Sequence, residues 1–320
     1  MKTTFPMLIR REFWEHKSLW IAPLVWVGLI LFFSTWGVIQ LPLEHGADAL
    51  VSGQSSDQMH MSEQDRERLR DAMKLPEDRK QSIFAFSFLA FFGMISVFMT
   101  IVVFFYLIDC LYTERKDRSI LFWKSLPISD SNVVLSKLAV AMVVVPIGVI
   151  ALTAVTQILI YIVVSIRLHG SVMSAVLPDW SFIAWLRSQA VALGMMLGGV
   201  LWYAPIAGYL LLLSSWTKNK VFLWAILPPI ALPVLEKVFL KSDYVLEFLG
   251  QRFTGYIQLM KLDPNAFEAG NNQHMPAVSE VYNAFHLSNV FLSAEMWIGV
   301  AAAAAMVFAT IRIRRYRDDT

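Results

Sequence analysis

Six apolar runs, each about as long as a membrane-crossing helix, constrain this 320-residue chain more than any other feature. Roughly 20 apolar residues in a helix cross a hydrocarbon core of about 30 Å, because each residue advances the helix by about 1.5 Å. Hydrophobic residues make up 57% of the chain, above the roughly 45–50% of soluble domains. We therefore predict an all-α membrane protein, one transmembrane domain over residues 1–320. The predicted spans are 19–41, 83–110, 133–166, 189–216, 221–240 and 292–311.

The first apolar run follows basic residues, as the core of a signal peptide does. It is longer than such a core and has no small-residue cleavage site, so we expect an uncleaved spanning helix. Ahead of it, residues 1–18 carry apolar side chains on one helical face, which predicts an interfacial helix before the chain enters the membrane. The alternative is a basic flank without that helix.

The connection between spans two and three, residues 112–131, begins with a charge cluster and continues as an amphipathic segment. Residues 114–130 read ERKDRSILFWKSLPISD. Pro127 ends any helix there, and Ser129 or Asp130 can cap the next one. The segment is either an interfacial anchor or a docking element for a cytosolic partner. The shared helical face, at i, i+3, i+4 and i+7, consists of Ser119, Phe122, Trp123 and Leu126.

Two longer polar stretches, residues 42–81 and 241–291, separate other spans. We expect a charged helix near 63–74 in the first, and short helices near 244–249 and 277–290 at the outer surface in the second. Lys and Arg crowd the short segments instead: both termini, the 112–131 connection and a basic turn before span five. The positive-inside rule therefore predicts cytosolic termini.

Prolines and small residues predict local geometry within the spans. Pro146 and Gly148 predict a kink in span three. Three prolines are expected to bend or break the outer half of span five, because each removes a backbone donor: Pro228, Pro229 and Pro233.

Span four carries two further local signals. It is expected to begin near Asp179, a plausible N-cap, with an interfacial early part at 180–187 ahead of the core at 189–216. Gly194 and Gly198 lie four residues apart, a spacing that lets helix backbones approach closely, and we expect them at a helix contact within the molecule.

The motifs of soluble enzymes are missing from the sequence. It contains no phosphate-binding loop, dinucleotide fingerprint, nucleophile elbow or zinc-protease helix. Cys110 is the single cysteine, and the histidines are scattered, so we expect no internal disulfide and no metal site. Few polar residues fall in or near spans, and only Gln157 looks deep, which argues against an ion relay. We expect neither an enzyme nor a cofactor, and no nucleic-acid partner.

The segment ERKDRSILFWKSLPISD resembles the coupling helix between the second and third spans of type-2 ATP-binding-cassette (ABC) exporter permeases of bacteria. REFWEHKSLW, residues 11–20, resembles the elbow that begins such permeases. The resemblance implies a subunit of the bacterial inner membrane that pairs with a second permease copy or with a similar permease. ATP would be bound by two separate cytosolic ATPase subunits. The elbow residues would be Phe13 and Trp14, and the ATPase-docking residues Glu114, Arg115, Arg118, Ser119, Phe122, Trp123 and Leu126.

Two other classes of function compete with this interpretation. The first is a non-transporting membrane scaffold or immunity protein, which would need no ATPase encoded beside it. The second is a membrane-embedded enzyme, which the lack of a clustered acid, base or metal set disfavours.

Overall fold

The computed structural model describes residues 4–39, 76–120, 128–169, 174, 177–259 and 285–316, and these are helical with no strand among them. The predicted helix near 63–74 and much of the second polar stretch lie outside the described residues. The helices are α1 (Thr4–Glu15), α2 (Ser18–Ile39), α3 (Glu77–Asp109), α4 (Tyr112–Lys116), α5 (Asp130–Ala139), α6 (Val145–Leu168), α7 (Phe182–Trp202), α8 (Ala204–Trp216), α9 (Val221–Phe239), α10 (Tyr244–Leu259), α11 (Leu287–Leu292) and α12 (Ala294–Tyr316).

Six of the helical segments are long and apolar enough to cross a membrane, which confirms the predicted all-α, multi-pass membrane protein. They are α2, α3 with α4, α5 with α6, α7, α9 and α12. Large apolar side chains are exposed along α2 and α9 in particular. In water such a surface would be a large unfavourable patch, whereas in a bilayer it meets lipid.

The centre of the molecule is α8, a short apolar helix that packs along α12 and against α3. Gly208 lets α8 approach α12 closely, since a Cβ placed there would lie 3.1 Å from the carbonyl oxygen of Ala303 and 3.2 Å from its Cα. Leu211 in α8, Ile95 in α3 and Val307 in α12 belong to the same buried apolar cluster. Van der Waals contact at small residues is the main attraction available between helices in lipid.

Gly208→Ala is expected to lower stability by about 1–3 kcal/mol, because the new methyl group meets backbone that cannot rotate away. Thermal unfolding in detergent measures the change. The matched control is Gly93→Ala on α3, where a Cβ would meet nothing within 4 Å. The control should be neutral or gain up to about 1 kcal/mol from helix propensity. Equal melting temperatures for the two variants would contradict the close contact.

The irregularity in span three lies just ahead of the predicted kink. A π-helical turn covers Val140–Val144, and α6 then restarts with Pro146 in its first turn. The Val145 N–H donates to the Val140 carbonyl, so the helix stays continuous up to the proline. Pro146 has no N–H to donate, and it follows directly on the turn where the α-helical hydrogen-bond pattern is already interrupted.

Span five, whose prolines were expected to bend or break it, is one unbroken helix. Helix α9 runs from Val221 to Phe239 through all three of them. Pro228 cannot donate to the carbonyl of Trp224 four residues earlier, but the Tyr209 hydroxyl on α8 donates to that oxygen at 3.1 Å. A neighbouring helix thus satisfies a carbonyl that the proline leaves open, which is how spanning helices tolerate proline.

Span four is interrupted, although the sequence predicted one continuous core. Helix α7 ends at Trp202 and α8 begins at Ala204, with Pro205 in its first turn. The cap at the other end of α7 is Ser181, whose Oγ accepts from the Ala184 N–H at 3.2 Å, and not Asp179. Asp179 precedes the helix by three residues, beyond the position from which a side chain reaches the first free N–H groups.

The short helices before span six pack on α7. A Cβ at Gly194 would lie 2.5 Å from Cδ1 of Leu287 in α11, and one at Gly198 would lie 3.3 Å from the Tyr256 side chain in α10. At the α7–α8 break, Arg252 of α10 donates to the Trp202 carbonyl at 3.2 Å, and the Trp202 indole donates back to the Arg252 carbonyl at 2.9 Å. These contacts fix α10 against the interruption in span four.

Candidate functional site

A buried cluster of charged side chains joins four helices at one end of the molecule. Its centre is Lys137, on α5, whose side chain is fully buried. The Lys137 Nζ donates to Oε1 of Glu12 at 2.8 Å and lies 3.1 Å from Oε1 of Glu114. Glu12 belongs to α1, and Glu114 to α4 at the start of the connection between spans two and three. One lysine therefore links three segments that are far apart in the sequence.

Two arginines complete this cluster, here called the ionic junction: Arg11, Glu12, Glu114, Asp130, Lys137 and Arg314. Arg314, near the end of α12, donates to Oε2 of Glu114 at 2.7 Å and to Oδ1 of Asp130 at 3.1 Å. Arg11 donates to Oε1 of Glu114 at 3.0 Å. Both ends of the described chain therefore meet at the same face of the molecule.

Aromatic groups close one side of the ionic junction. The Tyr106 hydroxyl, on α3, donates to Oε2 of Glu12 at 2.9 Å. The His16 ring packs edge-on against Tyr106, with ring centroids 4.9 Å apart. Burial lowers the pKa of His16, and the nearby Glu12 carboxylate only partly opposes this effect. His16 is thus neutral at pH 7 and adds no charge to the junction.

The ionic junction holds its charges in pairs. Glu12 and Glu114 are nearly fully buried, at 1% and 5% exposure, so each would carry a large desolvation penalty if it were unpaired. Lys137 and the two arginines supply that pairing through short, charge-assisted hydrogen bonds. Carboxylate oxygens of Glu12, Glu15 and Glu114 lie within 4.8 Å of one another, but these cations already occupy the space among them. The arrangement fits a structural junction better than a metal site.

A second set of contacts fixes the turn where α3 leaves the core. The Ser214 hydroxyl, near the end of α8, accepts from the backbone N–H groups of Leu111 and Tyr112 at 3.1 and 3.0 Å. Arg115 donates in return to the carbonyls of Ser214 and Thr217. Helix α4 is thereby tied to α8 on one side and, through Glu114, to the ionic junction on the other.

The residues predicted for ATPase docking differ in their surroundings. Glu114 lies inside the protein, within the ionic junction. Arg115 contacts α8. Arg118 is exposed, with a left-handed backbone (φ 57°), and Ser119 donates to the Glu114 carbonyl at 3.1 Å as helical backbone resumes. Three of the predicted docking residues lie outside the described residues: Phe122, Trp123 and Leu126.

The two predicted elbow residues differ in their surroundings. Phe13 is partly buried on α1, and its carbonyl accepts from the Trp20 indole at 3.2 Å. Trp14 is 70% exposed, with the Arg10 guanidinium 5.6 Å above its ring. Helix α1 packs on α5, so its position is set by protein contacts as well as by any contact with lipid.

Sequence reasoning missed the ionic junction, although one signal pointed to it. Lys137 stands four residues into the predicted third span, and a lysine inside an apolar run requires a partner. The partners could not be read from the sequence, because Glu12 lies 125 residues before Lys137. Glu12 looked like one of several surface charges on a basic flank.

Comparisons with known proteins identify no relative of this chain. No protein-family model, no curated protein and no solved structure matches it.

Proposed function

We propose that this chain is the membrane-spanning permease subunit of an ATP-driven ABC exporter in the bacterial inner membrane. The observation that carries the proposal is the anchoring of the segment that follows span two. Glu114 and Arg115 fix its first turn to α1, α5, α8 and α12. The part that follows, residues 119–126, has the sequence of an amphipathic surface helix.

Such anchoring suits a membrane protein whose conformational change is driven by a separate ATPase. A separate ATPase can move a permease only if the segment it binds is coupled to several spans at once, since a loosely tethered loop would absorb the motion. The stem of this segment is held by buried, charge-assisted contacts, which resist small displacements better than exposed ion pairs do. A movement of residues 119–126 would therefore be transmitted to the helices joined at the junction.

The orientation and partners follow from this assignment. The face that carries the ionic junction is the cytosolic face, in agreement with the basic residues crowded there, among them Lys218, Lys220 and Arg315. Two ATPase subunits bind there, one to each copy of the permease, and they bind the ATP. A second copy of this chain, or a similar permease, completes the translocation path.

Isolation of the chain from native membranes, with identification of the proteins that accompany it, tests the proposal. We expect a stoichiometric partner with a phosphate-binding loop, and ATP hydrolysis in the purified complex. The control is the same isolation after replacing residues 119–126 with a Gly/Ser linker of equal length, which should release the partner. Isolation of the unaltered chain without any ATPase would favour the scaffold interpretation.

A further inference from the structure

An aromatic groove lies at the end of the molecule opposite the ionic junction. It is formed where α3 begins, α6 ends and α7 begins. Five aromatic side chains line it together with one acid: Phe84, Phe88, Tyr161, Trp180, Trp185 and Asp179. No part of the proposed export machinery uses these residues.

The rings of the groove form a continuous wall. Tyr161 and Trp180 are tilted against each other with centroids 4.8 Å apart, and Trp185 follows Trp180 at 6.4 Å. Phe84 meets Tyr161 edge to face at 5.9 Å. The wall is also fixed in place, because the Tyr161 hydroxyl donates to the Pro178 carbonyl at 3.1 Å. A ligand would therefore meet preformed ring faces.

The charge of the groove has one sign. Asp179 is the acid in its lining, and no basic residue lines it within the described part of the chain. The backbone N–H of Asp179 donates to the Glu77 carboxylate at 2.7 Å, and this hydrogen bond fixes the position of Asp179 in the groove. Lys80 pairs with Glu77 at 3.7 Å but does not line the groove. The indole N–H of Trp185 is buried without a hydrogen-bond partner among the described residues.

We propose that this groove binds a compact quaternary ammonium cation, such as the trimethylammonium group of choline. The ammonium attracts the aromatic rings and the Asp179 carboxylate, and it has no N–H groups that would need acceptors in a largely aromatic wall. Free choline-like molecules and the headgroup of phosphatidylcholine share this chemistry. The proposal stands independently of the export function, because it concerns binding alone.

Equilibrium binding of radiolabelled choline to the purified full-length chain tests the proposal. The chain is placed in nanodiscs of phosphatidylethanolamine and phosphatidylglycerol, which contain no quaternary ammonium group. We expect saturable binding. The neutral isostere 3,3-dimethylbutan-1-ol, which replaces the nitrogen by carbon, should compete at least about tenfold more weakly, because it lacks the charge.

Two variants test whether choline binds in the groove. Trp180→Leu removes a ring face and Asp179→Asn removes the charge, and each should weaken choline binding by about tenfold or more. The control Trp36→Leu alters an exposed tryptophan on α2 and should leave binding unchanged. Asp179 is exposed, so Asp179→Asn should fold normally even if Trp180→Leu does not.

A second lipid composition identifies the source of the ligand. If the headgroup of phosphatidylcholine fills the groove, nanodiscs containing that lipid should abolish binding of free choline. Unchanged binding there would identify a free cation as the ligand. The proposal is wrong if choline does not bind saturably to either preparation, if the neutral isostere competes equally, or if Asp179→Asn binds like the unaltered chain.

Discussion

Lys137→Met should lower the stability of the folded chain by about 3–5 kcal/mol, one of the largest effects available to a single substitution in this protein. The change removes the cation that Glu12 and Glu114 share while both carboxylates stay buried. Methionine keeps most of the volume of the lysine side chain, so the loss reports on charge more than on a cavity. Thermal unfolding of the purified protein in detergent measures the effect, together with the yield from membranes.

An exposed ion pair on the same chain supplies the matched control. Lys237 lies 3.2 Å from Asp243 but is 67% exposed, so Lys237→Met should change stability by no more than about 1 kcal/mol. The double variant Lys137→Met with Glu12→Gln should recover part of the loss, because Glu12 loses its lysine partner whereas Glu114 keeps Arg11 and Arg314. If Lys137→Met melts like Lys237→Met, the ionic junction does not hold the four helices together.

Apolar length was enough to predict most of the spans, although the fourth, predicted with its core at 189–216, is the helix Phe182–Trp202. Backbone groups in lipid must be satisfied within the segment, so an apolar run of about 20 residues has few alternatives to a helix. The span predicted for 221–240 is the helix Val221–Phe239, and the span predicted for 292–311 begins within two residues of α12. The start of α3 at Glu77 precedes the predicted start because charged residues extend the helix beyond the apolar run.

The errors within spans have a common cause, since each depends on a contact with another helix. The prolines of α9 were expected to bend or break it; the helix is unbroken, and Tyr209 of α8 satisfies the carbonyl that Pro228 leaves open. The interruption at Trp202 is stabilised by Arg252, which is 50 residues away in sequence. Local sequence shows that a proline or a helix break leaves backbone groups without hydrogen bonds. Whether another helix supplies those bonds depends on tertiary contacts, which the local sequence does not show.

The ionic junction was beyond sequence reasoning for the same reason. A charge cluster beside a span usually faces water, and Glu114 was assigned to such a surface together with Arg115 and Arg118. Only the folded chain brings Arg314 within 2.7 Å of Glu114, 200 residues before it. The same charge cluster thus contains a buried anchor, Glu114, and an exposed residue, Arg118. On the proposed function, Glu114 therefore serves as an anchor and not as a docking contact.

On the proposed function, Phe122→Ala combined with Trp123→Ala should weaken ATPase binding by about 2–4 kcal/mol, or roughly 30- to 1,000-fold in Kd. These side chains share the predicted apolar face of residues 119–126, and paired aromatic anchors carry much of the energy of such interfaces. The anchored stem at Glu114 and Arg115 is untouched, so the doubly substituted chain should still insert and fold. Titration of the purified ATPase onto the permease in nanodiscs measures the loss.

Comparison with two other variants separates docking from membrane anchoring and from folding. Trp14→Ala removes an exposed tryptophan from α1 and should leave ATPase affinity unchanged. Lys137→Met, by contrast, should act mainly by lowering the melting temperature of the permease. The doubly substituted chain should keep its melting temperature and lose export, while any ATPase still present hydrolyses ATP without transport. If it binds the ATPase and exports at the level of the unaltered chain, Phe122 and Trp123 are interfacial anchors and the ATPase binds elsewhere.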